Sequence, residues 1–355
     1  MNTRSTLAMT IAATLILGGC GSSGRQAENP TTQPRTAARS DRASDPVRIT
    51  GLREQAIATL TELSSDIDPQ VRANVLEALV IAPARLEPIA AAGLRDSNEG
   101  VRAVAAMAVG KARLTRLASA VEPLLSDPSP RVQTSAIYAL RRLGREVDPT
   151  PLASFALGDP RPSVRAHAVW ALGELGDPSA LPLLREAAAR PMPRAGDAEV
   201  RLMRLQVAEA MLKLGDDEQL HPLHAALFVS RPEHLETAAL AAQILGEVGN
   251  RSSIPDLRNL AVFRDERGNQ MPAEVRLAAV GALAKLGQTD GSFIAEEYAA
   301  HPSPLVRAQA AVVFGETTGP NNAARLEALL RDPEERVRVA AAAGVLRYAD
   351  RSAGR

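Results

Sequence analysis

Few side chains here have a type and spacing that could do chemistry. Cys20 is the only cysteine of the 355-residue chain, so no internal disulfide can form and its lone thiol suits lipid attachment better than redox work. His221 and His224, three apart, could ligate a metal from one helix face, but no third ligand accompanies them and Pro222 marks a helix start. There is no GxSxG, no phosphate loop and no CxxC, and the scattered carboxylates define no acid–base pair. The expectation is a protein with no catalytic residue, no metal and no cofactor.

The elements that position these residues are repeats. One helix, plainest as Val164 to Asp177, recurs nine times, starting at Val71, Val101, Val132, Val164, Met203, Thr237, Val275, Val306 and Val337. Counting each start as position 1, positions 1, 5, 8, 9 and 12 are apolar or small in nearly every copy, which is one face of a 3.6-residue period. Position 8 is mostly alanine and lets a neighbouring helix approach closely. Shorter apolar stretches, such as Val121 to Leu125, Leu181 to Ala189 and Leu326 to Leu330, precede the copies, so the unit is a helical hairpin. Asp-Pro turns at Asp68, Asp127, Asp159 and Asp332 divide its helices, with Asp as cap and Pro near the helix start. Gly144, Gly176, Gly215, Gly249 and Gly287 close the second helix in the left-handed conformation. Position 2 carries Arg72, Arg102, Arg165, Arg204, Arg276, Arg307 and Arg338, broken by Gln133 and Ala238. Each arginine lies within a turn of the Asp-bearing connection, so the ladder reads as structural Arg–Asp pairing, not a phosphate-binding surface.

These residues resemble HEAT repeats, and the D-P-x-x-x-V-R-x-x-A-x-x-A-L-G pattern with its short period resembles the phycobilisome-lyase type. The resemblance covers about Asp45 to Asp350 and implies an all-α solenoid of about nine hairpins forming a curved superhelix. It says little of activity, because such repeats serve in scaffolds, transport factors, chromophore lyases and a metal-dependent hydroxylase. That hydroxylase uses His-Glu pairs, whereas the five histidines here are followed by Ala, Pro, Ala, Leu and Pro. A tetratricopeptide array is the alternative fold, but its aromatic signature is missing and aromatics make up 3% of the chain. Equal counts of 41 basic and 41 acidic residues give no general pull toward nucleic acid.

Met1 to Gly19 reads as a signal peptide: Arg4, an apolar run from Leu7 to Leu17 too short to span a bilayer, then Leu17-Gly18-Gly19-Cys20. The ending resembles a bacterial lipobox, which implies acylation of Cys20, and Gly21 after it favours the outer membrane. Residues 20–44 hold almost no large apolar side chain and read as a disordered tether reaching roughly 25–30 Å. The solenoid occupies 45–350 and a short tail 351–355. The expected localisation is the bacterial envelope, lipid-anchored and facing the periplasm, as a monomer.

Two surfaces are candidates for a protein or peptide partner. Three connections between first and second helices are lengthened, at Arg190 to Asp197, around Val229 to His234 and at Phe263 to Pro272, and they project from one edge with Arg190, Arg194, Arg264 and Arg267. Positions 4, 7 and 11 form a face opposite the buried one, where Met107, Tyr138 and Trp170 in successive copies, with His167, make an anchor row. Mixed charges at position 11, from Lys111 to Arg347, read as a solvated face. The function expected is a non-enzymatic scaffold for proteins, with an enzyme or chromophore-attachment protein as the alternative.

Overall fold

The computed structural model describes residues 46–354, so the signal peptide, Cys20 and the tether lie outside the described residues. The described chain is all α. The first helices of the nine hairpins are α1 (Pro46–Leu63), α3 (Pro83–Gly93), α5 (Ala118–Val121), α7 (Thr150–Gly158), α9 (Leu181–Ala189), α11 (Leu220–Ala226), α13 (Ile254–Val262), α15 (Ser292–Glu296) and α17 (Asn322–Leu329). The second helices are α2 (Pro69–Ala78), α4 (Glu99–Lys111), α6 (Pro130–Arg142), α8 (Pro162–Leu175), α10 (Asp197–Lys213), α12 (Leu235–Glu247), α14 (Ala273–Lys285), α16 (Pro304–Glu316) and α18 (Glu335–Ser352). No described helix is long and apolar enough to cross a membrane.

Each second helix packs on those before and after it, and α18 packs on α1 and α2, so the ends of the superhelix meet. Arg336 pairs with Asp68 at 2.7 Å and Arg48 with Glu327 at 3.0 Å across this closure. The second helices therefore form a closed inner ring with the first helices outside. The helix stops lie where expected: Gly144, Gly176, Gly215, Gly249 and Gly287 all have positive φ. The caps are less uniform. Asp68 caps α2 through Gln70, but the N-caps of α6, α8 and α18 are Ser129, Arg161 and Glu334, with the turn aspartate two residues earlier.

The arginines of the ladder join consecutive hairpins. Arg72 forks onto Asp96 of the next hairpin at 2.8 and 2.7 Å and holds the Asp66 carbonyl of its own turn at 2.7 Å. Arg102 does the same with Asp127 and the Asp96 carbonyl, and Arg307 with Asp332 and the His301 carbonyl. Where the next turn is remodelled the partner changes. Arg165 keeps only carbonyls, of Asp159 and Leu157, while Arg276 binds Glu297, Tyr298 and Gln270. Arg338 holds the Asp332 carbonyl and Glu335, and Arg204 is exposed.

The ring also alternates. Glycine occupies position 10 in every other hairpin, and there the backbones nearly touch: a Cβ would lie 2.8 Å from Ala139 Cα at Gly110, 2.8 Å from Ala210 Cα at Gly173, 2.6 Å from Ala282 Cα at Gly246 and 2.5 Å from Gly344 Cα at Gly315. The partner is always position 8 of the next copy. Hairpins 2–3, 4–5, 6–7 and 8–9 thus form close pairs. Gly246→Ala should lower stability by about 2 kcal/mol in a urea titration, because a backbone atom blocks the methyl. At Gly281, where the nearest foreign atom to a Cβ is the Glu316 carboxylate at 3.9 Å, the same exchange should raise stability by about 1 kcal/mol through helix propensity alone. Equal effects at the two sites would rule out the pairing by close approach.

Candidate functional site

The anchor row is not an open surface. Met107, Tyr138, His167 and Trp170 are all nearly or fully buried, with Tyr138 and Trp170 rings 4.8 Å apart and His167 stacked on Trp170 at 5.4 Å. Positions 4 and 7 do face away from each hairpin's own first helix, but in a closed ring that direction is the centre. A partner cannot dock on these four residues in this state. His167 Nε2 lies 2.8 Å from Ser135 Oγ, and burial, helped by the charge of Arg131, lowers its pKa to about 3. Burial likewise pushes the Tyr138 hydroxyl up to about 12, with Glu174 adding to it.

Position 11 lines the same interior, one turn further along. Lys111 of α4 reaches over the Trp170 ring of α8 at 5.5 Å, passing α6. Glu247 of α12 feels Lys285, Lys213 and also Lys111; burial works to raise its pKa, and these cations hold it below the usual value. The charges follow the hairpin pairs. Glu174 meets Lys213 at 2.6 Å, Glu247 meets Lys285 at 2.5 Å, and Glu316 meets Arg347 at 3.3 Å. This face is thus an ordered set of ion pairs between hairpins, not a merely solvated one. Its alternation, like that of the position-10 glycines, is present in the sequence but spans two repeats, so it escapes a comparison made one repeat at a time.

The other candidate surface is open. Arg190, Arg194, Arg264 and Arg267 are exposed in loops between first and second helices. Arg190 pairs with Glu186 at 2.8 Å, and Arg264 donates to the Gly268 carbonyl at 3.0 Å within a turn organised by Asp265, which accepts from Arg267 N and Asn269 N. The far end of this third insertion is tied down, since Gln270 bonds Arg276. Phe228 (64% exposed), Val262 (56%) and Phe263 (38%) open the second and third insertions and add apolar surface to that edge.

The histidine pair separates. His221 is exposed, whereas His224 Nδ1 lies 2.8 Å from Asp256 Oδ2 and its Nε2 3.0 Å from Ser253 Oγ. The order hydroxyl, imidazole, carboxylate is that of a nucleophile with its base. Here, however, Ser253 has no accessible surface and also donates to Asn250 at 2.9 Å, so the three groups act as a clasp between α11 and α13. Sequence spacing gave no sign of it, because His224 and Ser253 are 29 residues apart. Among the described residues no three His, Cys, Asp or Glu side chains are placed to hold a metal ion.

Solved structures with similar folds include the CpcE–CpcF complex of phycocyanin lyase from Nostoc (19% identity, TM-score 0.41, covering 74% of this chain and 92% of that one). Human deoxyhypusine hydroxylase also matches (19%, TM-score 0.36, 85% and 99%), as does an engineered protein (15%, TM-score 0.31, 88% and 96%). Likeness of this degree does not extend to activity. No curated protein matches significantly. The family model for HEAT repeats matches residues 86–161, 149–228 and 268–347, more than half of the chain, and with nine stacked helical hairpins in the structure the protein belongs to the HEAT-repeat family.

Proposed function

We propose that the protein is a non-catalytic docking scaffold held at the bacterial envelope by a lipid on Cys20, outer membrane rather than inner, and that it engages a protein partner through the lengthened loops. The observation that carries this reading is the edge itself: three insertions in consecutive hairpins, with exposed Arg190, Arg194, Arg264 and Arg267 beside exposed Phe228, Val262 and Phe263. Aromatic and arginine side chains together are the composition of binding surfaces. The LGGC sequence at Cys20 supports the anchor.

A photo-crosslinking side chain at position 194 or 267 should capture one discrete partner in envelope preparations, while the same group replacing exposed Arg145, after a second helix, should capture none. Equal capture at all three sites, or none at any, would refute docking at this edge. Separately, Cys20→Ser should abolish incorporation of labelled fatty acid and release the protein from membranes. Retained label would refute the anchor without touching the docking edge.

A further inference from the structure

The arginine ladder loses its acceptors where the connections are lengthened. In its full form the position-2 arginine holds the carbonyl six residues before it, in its own turn, and forks onto the carboxylate that stands five residues before position 1 of the next copy. That carboxylate is Asp96, Asp127 or Asp332, but in hairpins 5 to 8 its place is taken by Ala198, Pro232, Gln270 and His301. Ala238 brings no arginine to Gln270, and Arg276 binds Glu297 and Tyr298 instead of His301, which leaves Arg165 and Arg204.

These two fare differently. Arg165 is 7% exposed and falls back on the carbonyls of Asp159 and Leu157, within the field of the Asp159 carboxylate, while its Nη1 is buried with no partner. Arg204 loses its own carbonyl as well, because α10 starts a turn early and the residue six before it, Ala198, is already helical. It is exposed and makes no hydrogen bond or ion pair among the described residues. The carboxylates nearest in sequence and in the facing loop are engaged elsewhere. Glu199 accepts from Gly196 N at 3.0 Å, Glu233 lies 3.9 Å from Arg231, and the half-buried Glu236 sits in the field of Arg201. Asp197 stands two turns before Arg204. Arg201, one turn before it, donates to the Glu233 carbonyl at 3.5 Å, which sets the start of α10 against the loop of hairpin 6. That loop opens on Phe228, 64% exposed.

We propose that the docking partner completes this rung: an extended segment of a second protein lays an aspartate or glutamate on Arg204 and a neighbouring apolar side chain on Phe228. A guanidinium and a carboxylate meet through two parallel hydrogen bonds, the fork that Arg72, Arg102 and Arg307 already make inside the molecule. With no counter-charge in ion-pair contact, Arg204 favours an acidic segment over a neutral or basic one. The inference rests on the docking edge proposed above and adds the chemistry that selects its occupant.

Two dye-labelled peptides test it, one alternating aspartate with phenylalanine and the other carrying asparagine for each aspartate. Titrated into the full-length protein and followed by fluorescence anisotropy, the acidic peptide should bind about tenfold tighter than its amide twin. In Arg204→Gln that advantage should fall to about twofold or less, with the melting temperature unchanged within a few degrees, because the side chain lies on the surface and bonds to nothing. Pro232→Asp, which returns a carboxylate to the rung from inside the chain, should remove the advantage to the same degree and leave the amide twin unaffected. Equal affinity for the two peptides, no binding of either, or an advantage that survives both exchanges would each overturn the inference. The crosslinker at position 194 keeps this result apart from the edge itself. Capture undiminished by Arg204→Gln would sink the carboxylate and leave the docking edge standing, whereas an edge that captures nothing in the unaltered protein falls together with this inference.

Discussion

Asp127→Ala should lower the unfolding free energy by about 3 kcal/mol, whereas Asp159→Ala, at the equivalent place one hairpin later, should lower it by about 1 kcal/mol. Asp127 is 8% exposed and accepts two bonds from Arg102, at 2.8 and 3.1 Å, besides one from Ser129 N at 2.9 Å. Its removal leaves a largely buried guanidinium without its ion-pair partner. Asp159 receives no arginine from the preceding hairpin, because position 2 there is Gln133, whose amide donates to the Asp127 carbonyl at 2.7 Å. Its partner is its own neighbour Arg161, a mostly exposed side chain. Urea titration of the two variants measures the difference, and equal losses would mean that the ladder does not couple hairpins.

Acidification should act first through His167, before any carboxylate. The imidazole is fully buried, and desolvation with the nearby Arg131 charge lowers its pKa to about 3, so only the unfolded chain takes up a proton near neutrality. A group with a depressed folded pKa that binds its proton in the unfolded state stabilises the fold fully above its unfolded pKa, about 6.5, and progressively less below it. The slope is about 1.4 kcal/mol per pH unit, or about 2 kcal/mol by pH 5. His167→Gln, which keeps a hydrogen-bonding group for Ser135 and does not titrate, should flatten the profile over that interval. Unfolding midpoints at about pH 7 and pH 5 for the two proteins decide it, and a parallel decline would assign the acid sensitivity elsewhere. A second decline belongs below about pH 4. For Asp96 and Asp332 burial pushes the pKa upward, but the bonds from Arg72 and Arg307 outweigh it and hold both carboxyls below their usual value; that contribution is lost as pH falls through the lowered value.

The hairpins, their stops and the ladder were legible because each depends on residues close in sequence: an apolar period, a glycine, an arginine six residues after an aspartate. The edge of lengthened loops was legible for the same reason, as extra residues in a regular count. The position of Met107, Tyr138, His167 and Trp170 was not. Their period places them opposite the first helices, and whether that direction meets solvent or a closed interior depends on the small rotation between hairpins, summed over the whole array. No single residue carries that sum.

Nine is an odd number, and joints that alternate between close and loose cannot alternate all the way round an odd ring. Somewhere two loose joints must be adjacent. They fall on either side of α2, just beyond whose end Val80 stands at position 10 where the close pairs open with glycine, and which meets α18 on one side and α4 on the other. The mismatch of parity thus coincides with the place where the two ends of the chain meet, and it is held there mainly by α1 lying against α18 and by the Arg336–Asp68 and Arg48–Glu327 pairs. If this molecule breathes, it does so at that hairpin.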